Sequence, residues 1–283
     1  MSAAFEVRAT TALCGLIGDP VGHSLSPTLH NAAYRALGVD LVYAAFSVAP
    51  GDAPLALRGA AALGFVGLSV TTPHKDAIAA AADQASHVVE RLGAANTVRF
   101  RQGISIAEST DGAGLLDDLA RAFSFSPAGE RCAVLGAGGA ARGVILALAE
   151  AGAAEVLVVN RTESRAIEAA GLAGVAGRVG APEELRSAAL VVNATSIGLS
   201  AEPSSLATGA ALGAGLGAGQ LVLDLVYHPA RSTFLAAAAE AGAAVRNGLG
   251  MLVHQAARQV ELFSDLEAPV EEMWAAVAGR PTS

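Results

Sequence analysis

Short apolar runs alternate with alanine-rich amphipathic stretches along almost the whole chain. Strand-like runs fall at 13–18, 42–48, 65–70, 132–135, 156–159, 190–193 and 221–226, and helix-like segments such as 27–37, 140–151 and 234–241 lie between them. Strand and helix in regular alternation predict parallel sheet covered by helices on both faces, an α/β fold. The rhythm breaks near 93–109, where 96–100 and 103–106 read as a short antiparallel pair. A domain boundary is placed just after that pair. An N-terminal α/β domain is therefore expected over 1–109, completed by a helical tail at 247–283 that packs back onto it, with a doubly wound Rossmann-type dinucleotide-binding unit over 110–246. The Ala/Gly-rich stretch 201–219 reads as a surface loop with one helical turn.

With 53% hydrophobic and only 16% charged residues in 283, there is material for two buried cores. The net charge of -8 and pI near 5.2 argue against a nucleic-acid or anionic-membrane surface, and favour small-molecule work. A mean hydropathy of +0.47 comes from Ala, Val and Leu scattered among Gly and charges. No run approaches the roughly 18 to 20 unbroken apolar residues that a membrane helix needs. The first residues lack the basic start and long apolar core of an export signal, so the expected location is the cytoplasm. Cys14 and Cys132 each sit in a strand-like run, which suits reduced core thiols, and no metal site is expected.

Of the 18 basic residues, one is lysine: Lys75, in Ser69-Val70-Thr71-Thr72-Pro73-His74-Lys75. A guanidinium stays protonated, whereas an ammonium can be tuned and can release its proton, so a lone lysine in an arginine-rich chain points to proton chemistry. The competing reading is chance in an Arg-biased composition. Position favours chemistry: Pro73 is expected to be the first helical residue, which puts Lys75 in a first turn where the helix dipole opposes a cation.

Cys132-Ala133-Val134-Leu135-Gly136-Ala137-Gly138-Gly139-Ala140-Ala141 is a buried strand, a glycine turn and a helix start. Gly136 permits the turn, Gly138 lets backbone approach a pyrophosphate, and Ala141 is the third small position. The motif alone is weak, since any Gly-rich strand-to-helix link resembles it. The next strand ends in Asn160-Arg161-Thr162, with Arg165 one turn on. A carboxylate that would grip a ribose 2'-hydroxyl is replaced there by amide and guanidinium, which favours NADP over NAD. Solvated helix-face charge is the alternative for Arg161 and Arg165, and a plain helix cap is the alternative for Thr162.

In Gly22-His23-Ser24-Leu25-Ser26-Pro27, Ser26 reads as an ordinary N-cap, leaving Ser24 as a second hydroxyl beside free N–H groups, a carboxylate receptor. Ser109-Thr110-Asp111-Gly112 opens a helix, and Ala94-Ala95-Asn96-Thr97 is a turn before a strand.

Taken in order, these segments, with Asn193-Ala194-Thr195-Ser196, Gly198 and Gly248-Leu249-Gly250-Met251, resemble the shikimate dehydrogenase family over nearly the whole chain. The resemblance implies an NADP-dependent oxidoreductase of aromatic amino acid biosynthesis, a monomer or homodimer, that reversibly reduces 3-dehydroshikimate to shikimate. Lys75 and Asp111 match the catalytic pair. Ser24, Ser26, Thr71, Asn96, Tyr227 and Gln255 match substrate-binding positions. Gly136, Ala137, Gly138, Gly139, Ala140, Asn160, Arg161, Thr162, Arg165, Thr195, Gly248 and Met251 match cofactor-binding positions, Met251 near the nicotinamide. A cleft between the two domains is expected to hold the reaction. Ser69 and Ser109 depart from the family's usual asparagines, offering one rotatable hydroxyl in place of a fixed amide. A relative acting on quinate or an amino analogue, and a non-catalytic NADP-binding sensor, are the competing readings.

Overall fold

The computed structural model describes residues 7–195 and 209–278, and the chain divides into two compact units, 1–110 with 253–283, and 111–252. The first unit runs β1 (Ala12–Gly18), α1 (Ser26–Leu37), β2 (Leu41–Ser47), α2 (Ala53–Ala62), β3 (Gly67–Val70), α3 (Lys75–Ala81), β4 (Gln84–Ala85), α4 (His87–Leu92), β5 (Thr97–Arg101) and β6 (Ile104–Glu108). Its six-stranded sheet has the order β2-β1-β3-β5-β6-β4. The strands β1, β2 and β3 are parallel, and the register then reverses: β5 runs antiparallel to β3 and to β6. That reversal is the expected antiparallel pair, joined by a tight turn in which Gln102 and Gly103 both take positive φ. Apolar residues of β3, β5 and α2 close one core around Leu57, Leu68, Ile78 and Val98.

The second unit runs α5 (Asp111–Phe123), β7 (Arg131–Leu135), α6 (Gly139–Glu150), β8 (Glu155–Val159), α7 (Glu163–Gly171), β9 (Gly177–Val179), β10 (Leu190–Asn193), α8 (Gly209–Ala214), β11 (Leu221–Asp224), α9 (Thr233–Glu240) and β12 (Ala244–Asn247). Its sheet, β12-β11-β10-β7-β8-β9, is parallel throughout. Side chains alternate between two cores. Cys132, Val134, Val156 and Val158 face a cluster with α5 and α6, while Ala133, Leu135, Leu157 and Val191 face one with α8 and α9. Strands covered on both faces read as continuous apolar runs, as these do. Last come α10 (Leu249–Ser264) and α11 (Val270–Val277), separated at Asp265, whose φ is +57°. The helical tail is therefore two helices.

Three local expectations are corrected. The 201–219 stretch is more than a surface loop: residues 201–208 lie outside the described residues, but α8 buries Leu212, and Leu216 follows it into the core against Phe234 and Leu235. The alanine-glycine composition hides this i, i+4 apolar pair. Helix α1 begins at Ser26 with Leu25 in the cap position and no side-chain cap, so Ser26 is a helical residue. Helix α3 begins at Lys75, with His74 in the cap position, so Pro73 belongs to the preceding turn. The two cysteines are buried and free, and burial pushes Cys14 up to about 11 and Cys132 up to about 12, which keeps both as inert thiols. Among the described residues no helix is long and apolar enough to cross a membrane, and no cluster of potential metal ligands occurs.

Candidate active site

In the first unit the loop after β3 is pinned by its backbone. The Thr71 N–H donates to the Ile17 carbonyl at 2.9 Å, and the Asp19 N–H donates to Thr72 at 3.0 Å. His74, 1% exposed, donates its Nε2–H to the Val48 carbonyl at 2.8 Å. Lys75 follows as the first residue of α3, half-buried, and its carbonyl accepts the Ala95 N–H at 3.0 Å. The Val70 N–H reaches the Asn96 carbonyl at 2.7 Å. The turn bearing Thr71 and Lys75 is thus laced to the segment bearing Asn96.

Asn96 is 3% exposed. Its Oδ1 accepts from the Thr110 N–H at 2.8 Å and the Thr97 hydroxyl at 2.9 Å, and its Nδ2 donates to Thr110 Oγ1 at 3.0 Å and to Gln255 Oε1 at 3.1 Å. An amide with donors and acceptor all engaged has one orientation. The carboxylate receptor differs from expectation in one respect: the Ser26 N–H is not free but donates to Ser24 Oγ at 3.2 Å. Both hydroxyls stand at the start of α1, with Ser24 half-buried and Ser26 8% exposed. Behind them Tyr43 and His30 stack with ring centroids 4.0 Å apart. His30 donates Nδ1–H to the Ser26 carbonyl at 2.9 Å, and burial pulls its pKa down to about 4, so it is neutral at physiological pH. Burial also drives the Tyr43 phenol far up, against the opposing hydroxyls of Ser69 and Ser26.

In the second unit Asp111 opens α5 and is 5% exposed. A Cβ on its neighbour Gly112 would stand 2.6 Å from the Gly143 carbonyl and 2.5 Å from Ala147 Cβ, so α5 crosses α6 at a contact only glycine permits. Seven residues along α5, Asp118 is fully buried and receives Arg246 of β12 through Nε at 2.9 and 2.8 Å and Nη2 at 2.6 Å. No motif in the sequence points to this pair, whose members lie 128 residues apart.

The dinucleotide turn is built as the motif requires. Gly136 has φ +113° and donates its N–H to the Val159 carbonyl at 2.8 Å. A Cβ at Gly138 would meet nothing within 4 Å, leaving open space beside the first turn of α6, where Gly139 and Ala140 are half-buried and Ala141 is buried. Backbone amides at a helix start with no side chain over them fit a pyrophosphate. At the end of β8 Asn160 donates to the Thr162 carbonyl at 2.9 Å, and Arg161 and Arg165 are exposed and make no ion pair with the described residues. Thr162 occupies the cap position of α7 without a side-chain cap bond. Thr195 donates to Asn193 Oδ1 at 2.6 Å, and Asn193 donates to Asp224 at 3.1 Å, whose pKa is raised by burial. Tyr227 is half-buried, with its phenol pushed up by the same cause. Gly248 is buried, and Met251 lies in the apolar cluster with Leu115 and Val134. Ser196 and Gly198 lie outside the described residues.

A parallel doubly wound sheet with an open glycine turn, two arginines at the second strand end, and a companion unit holding a lysine beside oriented amides define a nicotinamide-dependent oxidoreductase. Residues 16–98 match the shikimate dehydrogenase substrate binding domain, 118–199 the shikimate / quinate 5-dehydrogenase model, and 248–278 the shikimate 5'-dehydrogenase C-terminal domain. The NADP(+) shikimate dehydrogenase of Moorella thermoacetica is 45% identical over 280 residues, covering 95% of this chain and 93% of that protein. The crystal structure of shikimate dehydrogenase from Aquifex aeolicus matches with a TM-score of 0.88 at 34% identity, covering 96% of this chain and all of that one. The Thermus thermophilus shikimate 5-dehydrogenase, in complex with NADP(H) and shikimate, matches with a TM-score of 0.82 at 36% identity, covering 94% of this chain and 98% of that one. The chain belongs to the shikimate dehydrogenase family.

Proposed function

We propose that the chain is an NADP-dependent shikimate dehydrogenase that interconverts 3-dehydroshikimate and shikimate in aromatic amino acid biosynthesis, in the cytoplasm. The observation that carries this reading is the set of hydrogen bonds tying the Lys75 turn, Asn96 and Gln255 into one oriented group. Residues 1–109 with 247–283 bind the substrate, and 110–246 bind NADP. Bound NADPH supplies the hydride. Lys75 stabilises the negative charge that develops on the carbonyl oxygen, and Lys75 and Asp111 together supply its proton. Ser24, Ser26 and Tyr227 hold the carboxylate, and Thr71, Asn96 and Gln255 hold the ring hydroxyls, a substrate hydroxyl taking the place of the direct Asn96 Nδ2–Gln255 Oε1 bond.

Around the cofactor, the Gly136, Ala137, Gly138, Gly139 and Ala140 turn holds the pyrophosphate. Asn160, Arg161, Thr162 and Arg165 hold the 2'-phosphate, with Thr195, Gly248 and Met251 toward the nicotinamide end. The short Ser24–Ser26 pair favours shikimate over quinate, whose extra hydroxyl beside the carboxylate needs a rearranged pocket. Absorbance at the reduced-nicotinamide band, measured with shikimate and quinate against NADP and NAD, tests the assignment. Shikimate with NADP is expected to give the highest kcat/KM. Equal or better turnover of quinate, or no turnover of either, contradicts it.

A further inference from the structure

Resting on that reading of the substrate site, we infer that Gln259 is a positioning residue for substrate binding, spanning a gap between two side chains that are too short to meet. Gln259 is 4% exposed, and both ends of its amide are used. Its Oε1 accepts from Ser69 Oγ at 2.7 Å, and its Nε2 donates to Thr97 Oγ1 at 2.9 Å. Thr97 passes the order on, donating to Asn96 Oδ1 at 2.9 Å, and Asn96 donates to Gln255 Oε1 at 3.1 Å. Every bond in this series runs donor to acceptor in one direction, so turning the Gln259 amide over disturbs Asn96 and Gln255, the groups proposed to hold the ring hydroxyls.

The register explains why a glutamine is needed. Ser69 and Thr97 are direct partners across the antiparallel β3–β5 pair, so both side chains rise from the same face of the sheet. Neither hydroxyl bonds the other, and Gln259 lies over both. Helix α10 tracks β3 at matching pitch. A Cβ on Gly67 would strike the Phe263 ring at 2.1 Å, so Phe263 stands over Gly67 as Gln259 stands over Ser69. Two strand residues advance roughly 6.6 Å and four helix residues about 6 Å, so the same step carries the match on toward Thr71 and Gln255. Gln259 therefore sets where the strand and helix that carry those two residues stand relative to each other. A longer amide at 69 could reach Thr97 unaided and make Gln259 dispensable.

Steady-state kinetics on Gln259→Ala, Ser69→Ala and the double variant Ser69→Asn/Gln259→Ala test this. Gln259→Ala is expected to raise KM for shikimate about tenfold, with kcat and KM for NADP within about threefold of wild type, the signature of lost substrate binding. Ser69→Ala breaks the same link at its other end and gives a smaller rise in the same constant, which keeps the test intact should Gln259→Ala fold poorly. The double variant recovers a KM within about threefold of wild type. The inference is overturned by an unchanged shikimate KM in both single variants, by equal losses in kcat and both KM values, or by a double variant no better than Gln259→Ala. A wild-type protein inert toward shikimate with NADP sinks the functional reading itself, whereas an active wild type with indifferent variants sinks only the role of Gln259.

Discussion

The two six-stranded sheets prepare their ligand sites by different means. In the parallel sheet of the second unit the strand interiors are apolar, and the proposed cofactor contacts begin where the strands end, at the glycine turn after β7 and at Asn160 after β8. Much of the proposed recognition there falls to backbone N–H groups, which need only an open, correctly bent chain. In the mixed sheet of the first unit polar side chains enter the interior itself: Ser69, Asn96, Thr97, Thr110 and Gln259 are all buried and joined by hydrogen bonds. A pyrophosphate can be held by repeated donors, whereas the hydroxyls of a small ring must be met by groups of fixed direction. The second unit has buried polar elements too, Asn193 with Asp224 at the strand ends and the Asp118–Arg246 pair, which links the helix opened by Asp111 to β12.

Breaking that pair has the largest expected effect on stability. Arg246→Leu leaves the Asp118 carboxyl buried without its guanidinium partner, which costs about 3–5 kcal/mol and is read as a lower midpoint in urea unfolding. If the midpoint does not move, the pair is not a strut of the second unit.

The interior of the first unit responds to acid. His30 has a folded pKa of about 4, below the ordinary value of 6.5. Between those pH values the unfolded chain binds a proton that the folded chain refuses. Stability is therefore complete above about pH 6.5 and declines as pH falls toward 4, by about 3 kcal/mol in total. Unfolding of wild type and His30→Phe across this window should show a shallower acid decline in the variant. Identical slopes would mean that His30 does not report on this interior.

The smallest of the three effects lies at the exposed end of β8. Arg161→Ala is expected to raise KM for NADP about tenfold, on the order of 1.4 kcal/mol, with NAD scarcely affected. An equal change for both cofactors would remove Arg161 from the 2'-phosphate.

The same contrast decides what could be read from the chain before it folded. The seven apolar runs and the glycine turn are local signals, and β7, β8 and β10 lie within a residue of where they were expected. The strands β4, β9 and β12 went unread because each is four residues or fewer and lacks an apolar run of its own. Residues inside one motif, such as Thr71 with Lys75, announce themselves. Gln259 does not, since its partners stand 190 and 162 residues away. Its one local trace is a second glutamine four residues after Gln255 on an otherwise apolar face of α10. Arg246 and Asp118, 128 residues apart, left no such trace. Ser26 reads locally as a cap, but α1 starts one residue earlier and takes it into the helix.

The most direct test of the account is turnover by Lys75→Ala, assayed as NADPH oxidation with 3-dehydroshikimate, beside cofactor affinity measured by fluorescence titration. A fall in kcat of about 10²–10⁴ with NADPH affinity retained is expected. Near wild-type turnover in that variant would contradict it.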